Sequence, residues 1–267
     1  MKRISKLTHS LGLLLPAAIV AMGLALPTAA FAVVSTPNAT VDRAQSPICT
    51  NLSADSDKVT AGISAQTDKL TAARDQQDQK MTANRTKEDA TIAAARQTVD
   101  ARRQDNFTKL EAKATTDEQK VAVQEYETSI TNAINGRRLT YNAARNTFRS
   151  GVDDAISAQR SQIDDDVSTL KTAVQAAVAA AQDSCNNDSS VKGGAAIRAT
   201  FVASLKSARQ AFKARRQQDT RLKSTISKLA QTRNQSFKAA DASFKASTRI
   251  LHDTLKTAFG DKAPSIE

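Results

Sequence analysis

Chemistry in this chain could come from two cysteines, a lone histidine beyond residue 32, a run of three carboxylates and a lysine-rich stretch near the C-terminus. His252 stands beside Asp253 with no second histidine in that region to pair with. Ser-His-Asp and Cys-His arrangements need a pocket and an oriented base, which a thin helical chain does not supply, so His252 reads as a solvated surface residue. Asp164, Asp165 and Asp166 offer oxygen ligands to a divalent cation. Consecutive helix positions diverge by about 100°, however, so the run reads as a solvated face. No glycine-rich phosphate loop or zinc-ligand spacing is present. Catalysis, a bound metal, a cofactor and a small-molecule substrate are therefore not expected.

The basic stretch is more informative. Residues 195–262 hold 15 Lys and Arg against 4 Asp and Glu, whereas residues 117–183 hold 7 against 10. Part of that contrast is internal matching between neighbouring helices. The rest leaves Lys206, Arg209, Lys213, Arg215, Arg216, Arg221, Lys223, Lys238 and Lys245 as candidates for contact with an anionic polymer (wall polymer or DNA) or a phospholipid surface. Phe-Lys-Ala occurs at Phe212, Phe237 and Phe244, and aromatics among cations can stack on single-stranded nucleic acid. Phe237 and Phe244 fall on a helix seam, so core packing is the better reading.

These residues must be placed by long helices. All five prolines lie outside residues 48–263, there is no Trp and aromatics are 4%. Mean hydropathy is −0.42, and much of the apolar content is alanine. A thick core and a strand-rich fold are both disfavoured. Between Asp57 and Asp100 the chain repeats every eleven residues, as DKVTAGISAQT, DKLTAARDQQD, QKMTANRTKED and ATIAAARQTVD. Eleven residues make three helical turns, so Val59, Leu70, Met81 and Ile92 stay on one side of a long helix.

A second segment carries a fuller stripe. From Tyr126 it runs through Ile130, Ile134, Arg137, Tyr141, Arg145, Phe148, Val152, Ile156, Gln159, Ile163, Val167, Leu170, Val174 and Val178. Only Arg137, Arg145 and Gln159 interrupt it, and Gly136 and Gly151 beside it mark bends or close helix contacts. A third stripe runs from Leu222 to Phe259 through Ile226, Leu229, Arg233, Phe237, Ala240, Phe244, Thr248, Leu251 and Leu255. The spacing predicts helices over about 51–113, 117–182 and 195–259. A capping box would restart the chain at Thr115 with Glu118 or at Thr116 with Gln119, and residues 183–196 would form the clearest loop. The expected fold is all-α, an elongated antiparallel bundle or coiled coil of about three long helices with eleven-residue periodicity, spanning 49–262. Its seams could also mediate self-association. The first helix has only nine large apolar residues and should be the loosest.

In an up-down-up layout Cys49 and Cys185 lie at the same end and can pair. Pairing suits the N-terminus. Lys2, Arg3 and Lys6 precede an apolar run from Leu11 to Leu26 and an Ala30-Phe31-Ala32 site. Residues 1–32 thus have the form of a bacterial secretory signal, followed by a tether at 33–48; residues 263–267 form a tail. The alternative is an uncleaved membrane anchor, since Leu11–Val34 is long enough to span a bilayer. An exported, cell-envelope, periplasmic or extracellular protein is expected, acting as a non-enzymatic spacer or scaffold or binding an anionic surface through its third helix.

The eleven-residue units, with their KVTA, KLTA and KMTA phrases, resemble those of late-embryogenesis-abundant desiccation proteins and lipid-surface apolipoproteins over residues 57–100. That resemblance implies a chain that folds only on lipid or on drying, a membrane-binding or stress-protective role. Arg74, Arg85 and Arg96, each four residues after a large apolar residue, make this a poor lipid-binding face.

Overall fold

The computed structural model describes residues 46–188, 190–218 and 221–260. The expected leader, residues 33–45 of the tether and the expected tail lie outside them. The described chain is an all-α helical bundle, as the periodicity predicts. Its helices are α1 (Pro47–Glu111), α2 (Asp117–Asn187), α3 (Val191–Gln218) and α4 (Arg221–Phe259). The last two take the place of the single third helix expected at 195–259.

Local chemistry fixes the helix ends. Pro47 opens α1, where its missing N–H and fixed φ cost nothing, and the Ser46 carbonyl accepts from the N–H groups of Cys49 and Thr50. Helix therefore begins inside the stretch expected to be tether. Between α1 and α2 the second of the two capping alternatives is the one formed. The Gln119 N–H donates to Thr116 Oγ1 at 3.2 Å, and Gln119 Oε1 accepts from the Thr116 N–H at 3.3 Å. This reciprocal box satisfies two orphan donors and breaks the chain into two helices.

The expected loop at 183–196 is much shorter than predicted. Asn186 and Asn187 remain helical, and Gly193 and Gly194 lie inside α3 rather than before it. Ser190 is the reason: its Oγ accepts from the Gly193 N–H at 3.1 Å, an N-cap that starts the helix early. Asp188 in turn accepts from the Ser190 N–H. Gly194 is needed for proximity, because a Cβ there would run into the Ser46 side chain. At the other terminus Gly260, with φ of +57°, adopts the left-handed conformation that closes α4.

The chain divides into two compact units. Among the described residues, the first combines those from 46 to 78 with those between Ile156 and Leu222, and the second combines Gln79–Ala155 with those from 223 to 260. In the first unit, α1 brings Ile48, Leu52 and Ile63 to a core otherwise built from α2 (Ile163, Val167, Leu170, Val174, Val178) and α3 (Ile197, Phe201, Leu205). Each such side chain stabilises by about 1.5–3 kcal/mol when buried. The Cys49–Cys185 disulfide closes this end, with a Cα–Cα distance of 5.6 Å.

In the second unit Phe107 and Leu110 of α1 pack with Val123, Tyr126 and Ile130 of α2 and with Leu255 and Phe259 of α4. Farther along, Leu229 sits against Gly151, where an added Cβ would meet its side chain at 2.8 Å. Gly151 is thus a close-contact glycine, whereas Gly136 faces open space. Every member of the two long stripes is buried or half-buried, including the three polar interruptions of the first. Among the described residues no helix is long and apolar enough to cross a membrane.

Candidate functional site

The eleven-residue period is spent mainly on charge. In the first unit Arg74 meets Asp164 at 2.9 Å, and Asp78 meets Arg160 at 2.7 Å. In the second unit Arg85 pairs with Asp153 and Asp89 with Arg149, both at 2.8 Å. Arg96 then donates to Asn142 at 2.9 Å, and Asp100 receives Arg138. Within each unit the α2 number falls as the α1 number climbs, so the two helices run antiparallel. Each set of four repeats the last one eleven residues on: Arg and Asp on α1 against Arg and Asp, or Asn, on α2. Arg74 and Arg85 also donate to the α2 backbone carbonyls of Arg160 and Arg149.

The guanidiniums lie lower in this ladder than the carboxylates. Arg149 has 17% of its side chain exposed and its partner Asp89 has 51%. Long arginine stems cover the apolar stripe while their heads reach outward to fixed carboxylates. The ladder ends where sequence replaces it. One repeat beyond Asp100 and Arg138 stand Glu111 and Glu127, two carboxylates. Burial, and after it the charge of Glu111, raises the Glu127 carboxyl above its ordinary value.

Hydrogen bonds from Arg160, Arg149 and Arg138 hold Asp78, Asp89 and Asp100 respectively below the ordinary carboxylate value, against the opposing push of burial. A carboxylate lowered in the folded state contributes stability above its unfolded pKa and loses it as pH falls through the folded one. Glu127 acts with the opposite sign. The urea midpoint should therefore hold between pH 7 and 5 and fall between pH 5 and 3, and Arg149→Gln should flatten that fall. A midpoint unchanged down to pH 3 would show that the ladder contributes nothing to stability.

On its α4 side, α2 uses arginine with aromatics. Tyr141 stacks on Phe237 with centroids 4.1 Å apart, and its hydroxyl donates to Asp241 at 2.8 Å. Arg137 pairs with Asp241 at 2.6 Å and lies over the Tyr141 and Phe244 rings. Arg233 covers Phe148. Phe237 and Phe244 are thus packing groups, and Phe212 is partly buried against the first unit's core.

His252 departs from expectation. It is half-buried, its ring 5.5 Å from that of Tyr126, because α4 turns that position toward α2. The three consecutive aspartates diverge as expected but are not all on a solvated face: Asp164 pairs with Arg74 and Asp165 is exposed, whereas Asp166, one stripe step from Ile163 and Leu170, is 2% exposed. Arg215 and Arg216 approach Asp166 at 3.9 and 4.0 Å.

The nine proposed contact residues are therefore not equivalent. Lys206, Lys213 and Arg215 of α3 are exposed, while Arg209 and Arg216 are half-buried. Arg221, Lys223, Lys238 and Lys245 of α4 are exposed. The first five and Arg221 belong to the first unit, and the other three to the second. Compared with protein families, curated proteins and solved structures, the chain matches none.

Proposed function

We propose that this protein is an exported, non-enzymatic helical scaffold of a bacterial cell envelope that holds an anionic polymer through exposed lysines of α3 and α4. The segregation of charge carries this reading. Arg74, Arg85, Arg138, Arg149 and Arg160 of α1 and α2 are each paired with a carboxylate on the facing helix, whereas α3 contains no acidic residue. Lys192, Lys206 and Lys213 stand exposed on α3, as do Lys223, Lys238 and Lys245 on α4. Lysine is a strongly hydrated point charge, suited to releasing counterions from a polyanion without reading its sequence.

A polymer is favoured over a bilayer because the phenylalanines of these helices turn inward. Phe201 and Phe259 are buried, and Phe212, Phe237 and Phe244 are half-buried. A membrane-surface helix needs such side chains on its outer face. The covered seams likewise favour a chain that folds without lipid. Disulfide pairing suits an oxidising compartment, and both thiols and the histidine ring are engaged in packing or bonding rather than offered to a substrate.

The test reverses Lys206, Lys213, Lys238 and Lys245 to Glu, leaving Arg215 and Arg216 in place beside Asp166. Affinity for a glycerol-phosphate polymer or DNA should fall at least about tenfold, and its logarithmic salt slope should shrink by about 0.7–0.9 for each phosphate no longer neutralised. Unchanged affinity and slope would reject the lysine surface.

A further inference from the structure

The third set of the ladder lacks a carboxylate that the other two possess. Arg74 and Arg85 each reach an aspartate on α2, Asp164 and Asp153, but the next position holds Asn142. Its amide oxygen accepts from Arg96 at 2.9 Å and from Arg145 at 3.0 Å, so two guanidiniums share one neutral acceptor. Nearby carboxylates are committed. Asp100 receives Arg138 through both oxygens and Arg103 at 2.7 Å, and Asp89 serves Arg149 as well as Arg145.

We infer that Arg96, Arg138, Arg145 and Asn142 form a binding site for an oxyanion, a phosphate or sulfate group, which takes the place of the missing carboxylate. Arg145 is 9% exposed and is held by Asp89 and Asn142. Arg96, Arg138 and Asn142 are half-buried, so each keeps some contact with solvent. Guanidinium forks match the oxygen spacing of such groups, and the Asn142 amide N–H groups remain free to donate while its oxygen accepts. Charge favours occupancy too: burial, and then the positive charges of Arg145 and Arg138, lower the Arg96 guanidinium below its ordinary value, with only Asp100 opposing. This site lies between α1 and α2 and is independent of the lysines on α3 and α4.

Thermal melts of the full chain test it, in sodium phosphate or sulfate against sodium chloride at equal ionic strength. At about ten times the dissociation constant, phosphate should raise the wild-type Tm by about 3–6 °C. Asn142→Asp restores the carboxylate; it should melt about 2 °C above wild type in chloride and gain nothing specific from phosphate. Arg96→Gln should also lose the response, and it carries the test if Asn142→Asp does not fold. A parallel arm with polyphosphate separates the sources. Stabilisation by free phosphate points to a free ion, and stabilisation by the chain alone points to a polymer-borne group, provided Asn142→Asp abolishes either one. A polyphosphate effect that survives Asn142→Asp but not the lysine reversals belongs to α3 and α4 and overturns the proposal. An equal phosphate response in all three proteins, or none in wild type with either probe, overturns it as well.

Discussion

Reducing Cys49–Cys185, or replacing both cysteines with serine, is expected to cost about 5 kcal/mol of stability, because the bond closes a loop of more than 130 residues in the unfolded chain. At about 2–4 °C per kcal/mol for a chain of this size, Tm should fall by about 10–20 °C. The loss should concentrate on α1. Between Ile63 and Phe107 no α1 side chain is buried, and in the first unit the helix contributes Ile48, Leu52 and Ile63 as its fully buried core members, with Cys49, Val59 and Leu70 only partly buried against them. Ladder pairs with half-exposed carboxylates replace little of that burial, since exposed ion pairs typically contribute about 0–1 kcal/mol each. Amide hydrogen exchange should accordingly accelerate first in the opening turns of α1, while those of α2 near Val167–Val178 stay protected. A Tm unchanged by reductant would mean that packing alone holds α1, which its sparse burial makes hard to explain.

Much of this arrangement is legible in the sequence, and the illegible part has a common cause. Stripe positions depend on period alone, and period is local. Arg145 and Gln159 are therefore buried seam members despite their polarity. The disulfide follows from three helices of similar length and one reversal of direction. Charge pairing does not depend on period in that way. The eleven-residue spacing of Arg74, Arg85 and Arg96 is visible, and Arg138, Arg149 and Arg160 are spaced likewise on α2. The stronger apolar stripe of α2 masks them, although matching periods of opposite partners on successive helices are the available signal. The loop after α2 is shorter than its composition implies for a different reason. Glycine pairs usually read as breaks, but Gly193 and Gly194 follow the Ser190 cap, and Gly194 is required by a neighbour distant in sequence, Ser46. His252 meets Tyr126 rather than water because it follows the stripe member Thr248 by four residues and precedes Leu255 by three, at the edge of the α4 seam, a signal that the absence of a second histidine hides.

Phe201→Ala should be the most damaging single substitution in the first unit, costing about 3–5 kcal/mol through lost transfer energy and the cavity left behind. Phe201 is 2% exposed and is the largest of the most deeply buried side chains. It sits midway between Ile197 and Leu205 at four-residue steps, so α3 meets the core chiefly through these three buried side chains. Removing the central one leaves a 28-residue helix attached by its flanking turns alone. Collapse around the gap is limited, because Val167, Leu170 and Val174 belong to a 71-residue helix whose backbone cannot shift locally without disturbing the charge pairs farther along it. Urea unfolding followed by far-UV circular dichroism is the appropriate measurement. The chain has no Trp, and both tyrosines, Tyr126 and Tyr141, lie in the second unit and report on that part of the molecule. Ile250→Ala supplies the contrast: at 66% exposure it should change stability by no more than about 0.5 kcal/mol. A loss below about 1 kcal/mol for Phe201→Ala would place α3 on the core only loosely. The basic surface it carries would then be a mobile arm rather than a fixed face, and binding to a polyanion would have to include the entropy of ordering it.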